Sequence, residues 1–384
     1  MIYLDNAATT MPKPEQVKRA VLRAMDEAAS AGRSAHAPAM RAAELLFDAR
    51  QAAAELFGME DAGKIVFTSS ATEALNLAIF SMAEHCRRFV ITGMEHNAVV
   101  RPLEHLKQRG VRVQILPTVL WDDDRLLETA EDACRSGADC FVVCHVSNVF
   151  GWKLPIAKLG TLLAQYGVPM ILDASQSAGV CPLAVSAIPS AAAIAMPGHK
   201  GLYGPQGTGV LLCLSERIAQ PLLFGGTGSR SMDAAMPEEM PDRLEAGTHA
   251  IPAIAGLAAG IRFVQEVGIA RIARHECALR RQLAEQLVGV VGVHCFVSPQ
   301  DDRQTGVLSL TCDRLDAETL AQRLGEQNIC VRAGLHCAPL AHQTAQTLKT
   351  GTVRLSPGWF QDLKQVRRTA VVLREILERE GGNK

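Results

Sequence analysis

Neither sign of charge dominates this chain: 39 Lys and Arg stand against 40 Asp and Glu in 384 residues, a net charge of −1. It has no basic block and no Arg run interleaved with aromatics, so nucleic acid is not expected as the main partner. No apolar run approaches the ~20 residues of a membrane span. The opening stretch Met1–Thr10 has neither the positive region nor the apolar core of a secretion signal. A soluble, cytoplasmic protein with no membrane partner is therefore expected. No C-x-x-C pair occurs among the 11 cysteines, which leaves a structural zinc site without support. The cysteines are scattered through apolar segments and read as reduced thiols rather than a disulfide scaffold. Two nucleotide fingerprints are missing as well: no G-x-G-x-x-G follows an early strand, and no G-x-x-x-x-G-K-[ST] occurs. Repeats and low-complexity tracts are absent.

What is present is a regular alternation. Strands are predicted at 64–68, 88–92, 111–116, 139–145, 168–173, 192–196 and 209–214, several of them apolar at consecutive positions, as in strands buried on both faces. Helices are predicted between them at 72–85, 98–109, 124–136 and 156–166, after two amphipathic helices at 15–29 and 39–57. Such alternation indicates an α/β domain with crossover helices. From about Ile251 the texture changes to one long helical region reaching about Val288. Strand 306–311, helix 316–327, strand 329–332, strand 352–356 and a last helix follow. The chain length fits two domains. The expected division is an N-terminal arm (1–12), a large domain (13–250) with a mainly parallel sheet flanked by helices, and a smaller α+β domain (251–384).

Three stretches fall where α/β enzymes place ligands, just beyond the carboxyl ends of strands. In Phe67-Thr-Ser-Ser-Ala-Thr-Glu-Ala74 a strand ends and a helix begins near Thr72. A helix N-terminus with hydroxyls and free amides suits a phosphate; an ordinary N-cap by Ser70 or Thr72 would look the same. In Val168–Gln176 an Asp closes an apolar strand. Asp173 there suits a metal, a ribose or a protonated pyridine nitrogen, or simply caps a turn. In Ala195–Gly209, Lys200 sits among five glycines. A solvated loop lysine is the plain reading, but glycines let backbone crowd a ligand, and a lysine beside an aldehyde can bond to it covalently.

Among the cysteines, Cys337 stands apart. It lies in the turn-rich Val331-Arg-Ala-Gly-Leu-His-Cys-Ala-Pro-Leu340, with His336 and Arg332 near in sequence. A thiol reacts as thiolate, and a nearby cation would raise that fraction. A loop can also carry a thiol to a substrate. An incidental loop cysteine, or a metal held by His336, Cys337 and His342, are the alternatives.

Together these motifs resemble the class V, fold-type I pyridoxal-phosphate enzymes, and within them the cysteine desulfurase and selenocysteine lyase group with an R-x-G-x-H-C loop. The likeness runs through Tyr3-Leu-Asp-Asn-Ala-Ala-Thr-Thr10, Met94-Glu-His-Asn97, Ser147-Asn148, Asp173–Gln176, His199-Lys200, Glu245-Ala-Gly-Thr248, Arg332–Ala338 and Arg354. The resemblance implies that Lys200 carries pyridoxal 5'-phosphate covalently and later moves the Cα proton. It implies that Asp173 pairs with the ring nitrogen, Gln176 faces the phenolic oxygen, and His96 stacks on the ring. By the same likeness, Asn148 approaches ring and substrate, and Ala71, Thr72 and His199 hold phosphate. Gly247 and Thr248 are expected to reach the phosphate of a neighbouring subunit, making a homodimer with shared sites. Arg354, with Arg332, is expected at the substrate carboxylate, and Cys337 would accept sulfur from L-cysteine as a persulfide, leaving L-alanine and passing the sulfur to an acceptor protein. L-Selenocysteine is the alternative substrate; a class V aminotransferase or β-eliminating relative, or a non-catalytic scaffold, are the other readings. Three positions depart from the pattern: Pro197 and Ala71 stand where hydroxyl residues are common, removing two phosphate contacts, and Leu335 stands where the group often has His.

Overall fold

The alternation read from the sequence recurs in a computed structural model, which describes residues 1–32 and 34–381; the end of the expected third stretch, 382–384, lies outside them. Strand β1 (Ile2–Tyr3) and helices α1 (Glu15–Glu27) and α2 (Ala37–Phe57) come first. Then follow β2 (Ile65–Thr68), α3 (Ala71–Ala83), β3 (Arg88–Ile91), α4 (Asn97–Lys107), β4 (Arg112–Ile115), α5 (Asp123–Arg135), β5 (Cys140–Cys144), α6 (Ile156–Gln165), β6 (Met170–Asp173), β7 (Ala191–Pro197) and β8 (Gly209–Cys213). Strands β2 to β8 make one seven-stranded sheet in the order β2-β8-β7-β6-β5-β3-β4. Every pairing is parallel except those of β8, which runs against both β7 and β2. Strands β5 and β6 are buried at every residue. Phe141 and Val143 enter the core on one face while Cys140 and Val142 enter the core on the other, which is why these strands are apolar without alternation.

The second part starts with α7 (Ile251–Val267) and α8 (Ile269–Leu287). The single helix expected here is two, bent by 81°. Gly268, at φ 87° and ψ 126°, leaves the helical region, and its amide closes α7 on the Val264 carbonyl at 2.8 Å. Next come β9 (Val293–Phe296), β10 (Leu308–Cys312), α9 (Ala317–Glu326), β11 (Ile329–Cys330), β12 (Arg332–Gly334), α10 (Pro339–Thr344), β13 (Thr352–Leu355) and α11 (Leu363–Gly381). An antiparallel sheet runs β12-β13-β10-β9. The expected strand 329–332 is divided, because β11 pairs in parallel with β1 while β12 pairs with β13. Strand β9 was not foreseen, being a half-exposed edge with no clear alternation; α10, six residues long, is too short for a periodicity to show.

The N-terminal segment crosses to this second part. Beyond the β1–β11 pairing, Asp5 forms a bridge with Ser356, next to β13. No single helix among the described residues is long and apolar enough to cross a membrane.

Candidate active site

The carboxyl ends of β2, β6 and β7 open on one cavity of about 250 Å³. Its walls include Ala71, Thr72, His96, Asn148, Asp173 and Gln176 from the large sheet and its loops. His199, Lys200, Arg332, Cys337 and Arg354 complete it. Eleven of the thirteen residues singled out in the sequence thus converge. Gly247 and Thr248 do not: both are exposed and line a separate depression with Phe67, Ser69 and Glu245.

Asp173 ends β6, buried, and its Oδ1 accepts the Ser175 amide at 2.9 Å. Lys200 is brought to it by backbone contact. A Cβ at Gly179 would run into the Gly201 carbonyl, and one at Gly201 into the Ala178 carbonyl. These glycines admit protein backbone, where the sequence had pointed to a crowded ligand. Among the described residues the Lys200 ammonium has no hydrogen-bond or ion-pair partner. Burial pushes its pKa down to about 8, with Arg354 and Arg332 acting the same way and Asp173 and Asp5 opposing. A lysine in this state holds a useful fraction of neutral, nucleophilic amine.

At the turn after β2 the capping reading of the sequence is seen directly. Ser70 is the N-cap of α3, its Oγ accepting the Glu73 amide at 3.2 Å and its carbonyl the Ala74 amide at 3.1 Å. The amides of Ala71 and Thr72 are left to the cavity that both residues line. A 13-residue helix whose N-terminus faces that space suits an anion. His199 adds a buried Nδ1 with no partner in the chain. Burial, then Lys200 and Lys13, push its imidazole down to about 4, so it is neutral. Pro197 and Ala71 also line the cavity and offer it neither hydroxyl nor, at Pro197, an amide.

His96 caps α4, its Nδ1 accepting the Ala98 amide at 3.0 Å. Burial lowers its pKa, and an accepting Nδ1 leaves the ring proton on Nε2. Gln176 donates from Nε2 to the Ala7 carbonyl at 2.9 Å. Arg354, on β13, is 2 % exposed. Its Nη1 donates to the Asn148 carbonyl at 2.9 Å and its Nη2 to Asp5 Oδ1 at 2.8 Å, while Nε is buried without a partner.

Cys337 is exposed, and both it and His336 have left-handed backbone, at φ 57° and 48°. Their carbonyls are held: Asn148 Nδ2 donates to that of His336 at 2.7 Å and the Asn97 amide to that of Cys337 at 2.8 Å. The thiol thus sits on a turn tethered at two consecutive carbonyls. One expectation for this turn is corrected. Burial, then Arg354 and His342, push the His336 imidazole down to about 2, and its Nε2 faces Thr352. His336 is therefore no cation for the thiolate, and Arg332 is the cationic side chain of this loop that lines the cavity.

Sequence reading missed the N-terminal segment. Asp5 and Ala7 reach Arg354 and Gln176, and the signal was the Leu4-Asp-Asn-Ala7 stretch read as motif without roles. It also missed Glu95, which is wholly buried beside His96; burial pushes its carboxyl up to about 8 against hydrogen bonds from Thr92 and the Cys144 amide.

The groups present fit the cofactor that the motifs implied: an unpartnered lysine, a buried carboxylate, open helix amides and an orphaned histidine nitrogen around one cavity. Comparison with known proteins agrees with this chemistry. The chain is 32% identical, over 98% of its length and 94% of the relative's, to a probable cysteine desulfurase of Methanothermobacter thermautotrophicus. A probable cysteine desulfurase of Pyrococcus abyssi is 31% identical with the same coverage. Among solved structures, an apo cysteine desulfurase from Thermococcus onnurineus superposes with a TM-score of 0.90 at 29% identity, covering 98% of this chain and 95% of that one. The S-sulfonic acid form of the Escherichia coli cysteine desulfurase CsdA gives 0.84 at 27% identity, covering 98% and 94%. Residues 2–368 match the class-V aminotransferase family, and the chain belongs to it.

Proposed function

We propose that this protein is a pyridoxal 5'-phosphate-dependent cysteine desulfurase, converting L-cysteine to L-alanine with sulfur transferred to Cys337 as a persulfide. One observation carries the reading: Lys200, Asp173 and the exposed Cys337 face a single cavity. The relatives named cysteine desulfurase support it. Residues 13–250 would supply the cofactor groups and 251–384 the sulfur-accepting turn.

Lys200 would hold the cofactor's aldehyde, Asp173 its ring nitrogen, and His96 and Gln176 its ring; Ala71, Thr72 and His199 would receive the phosphate. When bound, the group supplies an electron sink for charge developing at Cα. Asn148 and the Arg354 guanidinium would hold the substrate carboxylate, with Arg332 at the cavity rim. The Lys200 amine, whose neutral fraction burial raises, would take the Cα proton. The Cys337 thiolate would then attack the substrate sulfur: an S–S bond forms, the carbon–sulfur bond breaks with its electron pair left on Cβ, and the carbon fragment takes one proton at Cβ and recovers the Cα proton from Lys200 to leave as alanine. Gly247 and Thr248, exposed in their own subunit, would complete the phosphate site of a second copy. An acceptor protein would then remove the sulfur from Cys337, whose exposed position suits such a transfer.

The test is alanine release and Cys337 persulfide measured with L-cysteine and L-selenocysteine in parallel. Equimolar alanine and protein-bound sulfur from L-cysteine supports the reading. Alanine without protein-bound sulfur points to an eliminating relative, and activity on L-selenocysteine alone to a lyase.

A further inference from the structure

The N-terminal segment 5–13 belongs to the active site as much as to the fold. Its Ala7 carbonyl accepts Gln176 Nε2 at 2.9 Å. Three of its residues donate to one carbonyl, that of His199 beside Lys200: Thr9 Oγ1 at 3.2 Å, Thr10 through its amide and Oγ1 at 3.1 Å each, and Lys13 Nζ at 2.7 Å. Asp5 then places a carboxylate on Arg354. The segment itself is anchored by the pairing of β1 with β11 and by the Asp5–Ser356 bridge, so Asp5 is presented on fixed backbone.

Arg354 needs such a partner. It is 2 % exposed, it lies near the Arg332 charge, and burial pushes its pKa down while Asp5 pushes it up. Of its three nitrogens, Nη1 is held by the Asn148 carbonyl, Nη2 by Asp5, and Nε has no partner among the described residues. A guanidinium tethered at two points cannot rotate, and its remaining donor capacity is presented in one fixed orientation. The tether at Nη2 is the charged one, so it contributes most to keeping the cation at this buried place.

We infer that Asp5 is the positioning residue for substrate-carboxylate recognition: it acts through Arg354, holding the guanidinium so that its open edge meets the carboxylate of an α-amino acid. This rests on the function proposed above. Removing Asp5 leaves Arg354 on a single neutral acceptor, free to turn toward solvent, while Lys200 and Cys337 keep their own supports. The loss therefore falls on carboxylate binding rather than on bond making.

The experiment compares the cofactor-loaded wild type with Asp5→Ala and Asp5→Asn, measuring KM and kcat for L-cysteine and the dissociation constant for L-alanine by absorbance titration. Asp5→Ala is expected to raise KM and the alanine constant by about tenfold, with kcat within about threefold of wild type. Asp5→Asn retains an acceptor oxygen and should fall between. A melting temperature measured on each variant separates this from global loosening, which lowers kcat and cofactor retention together. Unchanged KM and alanine binding in Asp5→Ala, or a fall in kcat at constant KM, overturns the inference. A wild type that releases no alanine from L-cysteine overturns the proposed function instead.

Discussion

Asn148 donates from Nδ2 to the carbonyl of His336 over 2.7 Å, tying the loop beyond β5 to the turn that carries Cys337. The same residue's carbonyl takes Nη1 of Arg354 at 2.9 Å. One side chain and its own backbone thus fix both the Cys337 turn and the Arg354 guanidinium, and the Asn97 amide holds the Cys337 carbonyl from the other side. Because two adjacent residues of the turn are in left-handed backbone, these tethers matter more than in an ordinary loop. Asn148→Ala should lower single-turnover persulfide formation on Cys337 by about 10- to 100-fold, the scale of a misplacement near 1 Å. Mass spectrometry of the trapped Cys337 thiol measures it.

Cys337→Ala should abolish alanine release from L-cysteine and spare release from L-selenocysteine, since selenium leaves carbon with less nucleophilic help. Equal loss on the two substrates would show that the thiol has another task. Parallel alanine assays decide between them.

Attachment of the cofactor to apoprotein should speed up with pH through about 8. The reason is the Lys200 amine, whose pKa burial has brought down to about 8, so its neutral fraction grows across that value. Stopped-flow absorbance on added pyridoxal phosphate would follow it. Lys200→Ala should remove borohydride-fixable colour altogether and cut activity by more than about a thousandfold.

Gly179→Ala is expected to cost about 2–4 kcal/mol. Its φ of 79° is strained for a side chain, and its Cβ would strike the Gly201 carbonyl, forcing Lys200 away from Asp173. Urea unfolding would report the cost, and faster loss of bound cofactor on dialysis would report the displaced lysine.

Glu276 gives a pH-dependent stability. It is buried on α8, and burial pushes its carboxyl up to about 8 from an ordinary value near 4.5. The folded state therefore binds more protons than the unfolded one between these values, and stability falls as pH rises through that window. Glu276→Gln should stabilise the apoprotein by about 1–3 kcal/mol at pH 8 and by little at pH 4. Denaturant melts at the two pH values test the sign.

Much of this protein is legible along the chain because the determining interactions are local. Strands β5 and β6 show their double burial as unbroken apolar runs, and the order of the Ser70 turn, Asp173 and Lys200 follows from strand ends meeting helices on one side of a sheet. The reversal of β8 carries no such mark, since an apolar strand reads the same in either direction. Nor does the split between β11 and β12, because β11's partner is at the opposite end of the chain. The chemistry of the Cys337 turn is the hardest to foresee. His336 beside Cys337 in sequence looks like a cation, and becomes neutral because burial next to Arg354 disfavours its charge. Asp5 lies in an N-terminal arm without a role of its own, and becomes Arg354's counterion because a bridge to Ser356 brings it there. Residue order was enough for the α/β plan and the candidate groups, since these depend on neighbours in the chain. Charge state, tethering and partner choice depend on contacts between segments hundreds of residues apart, and those exist only once the chain has folded.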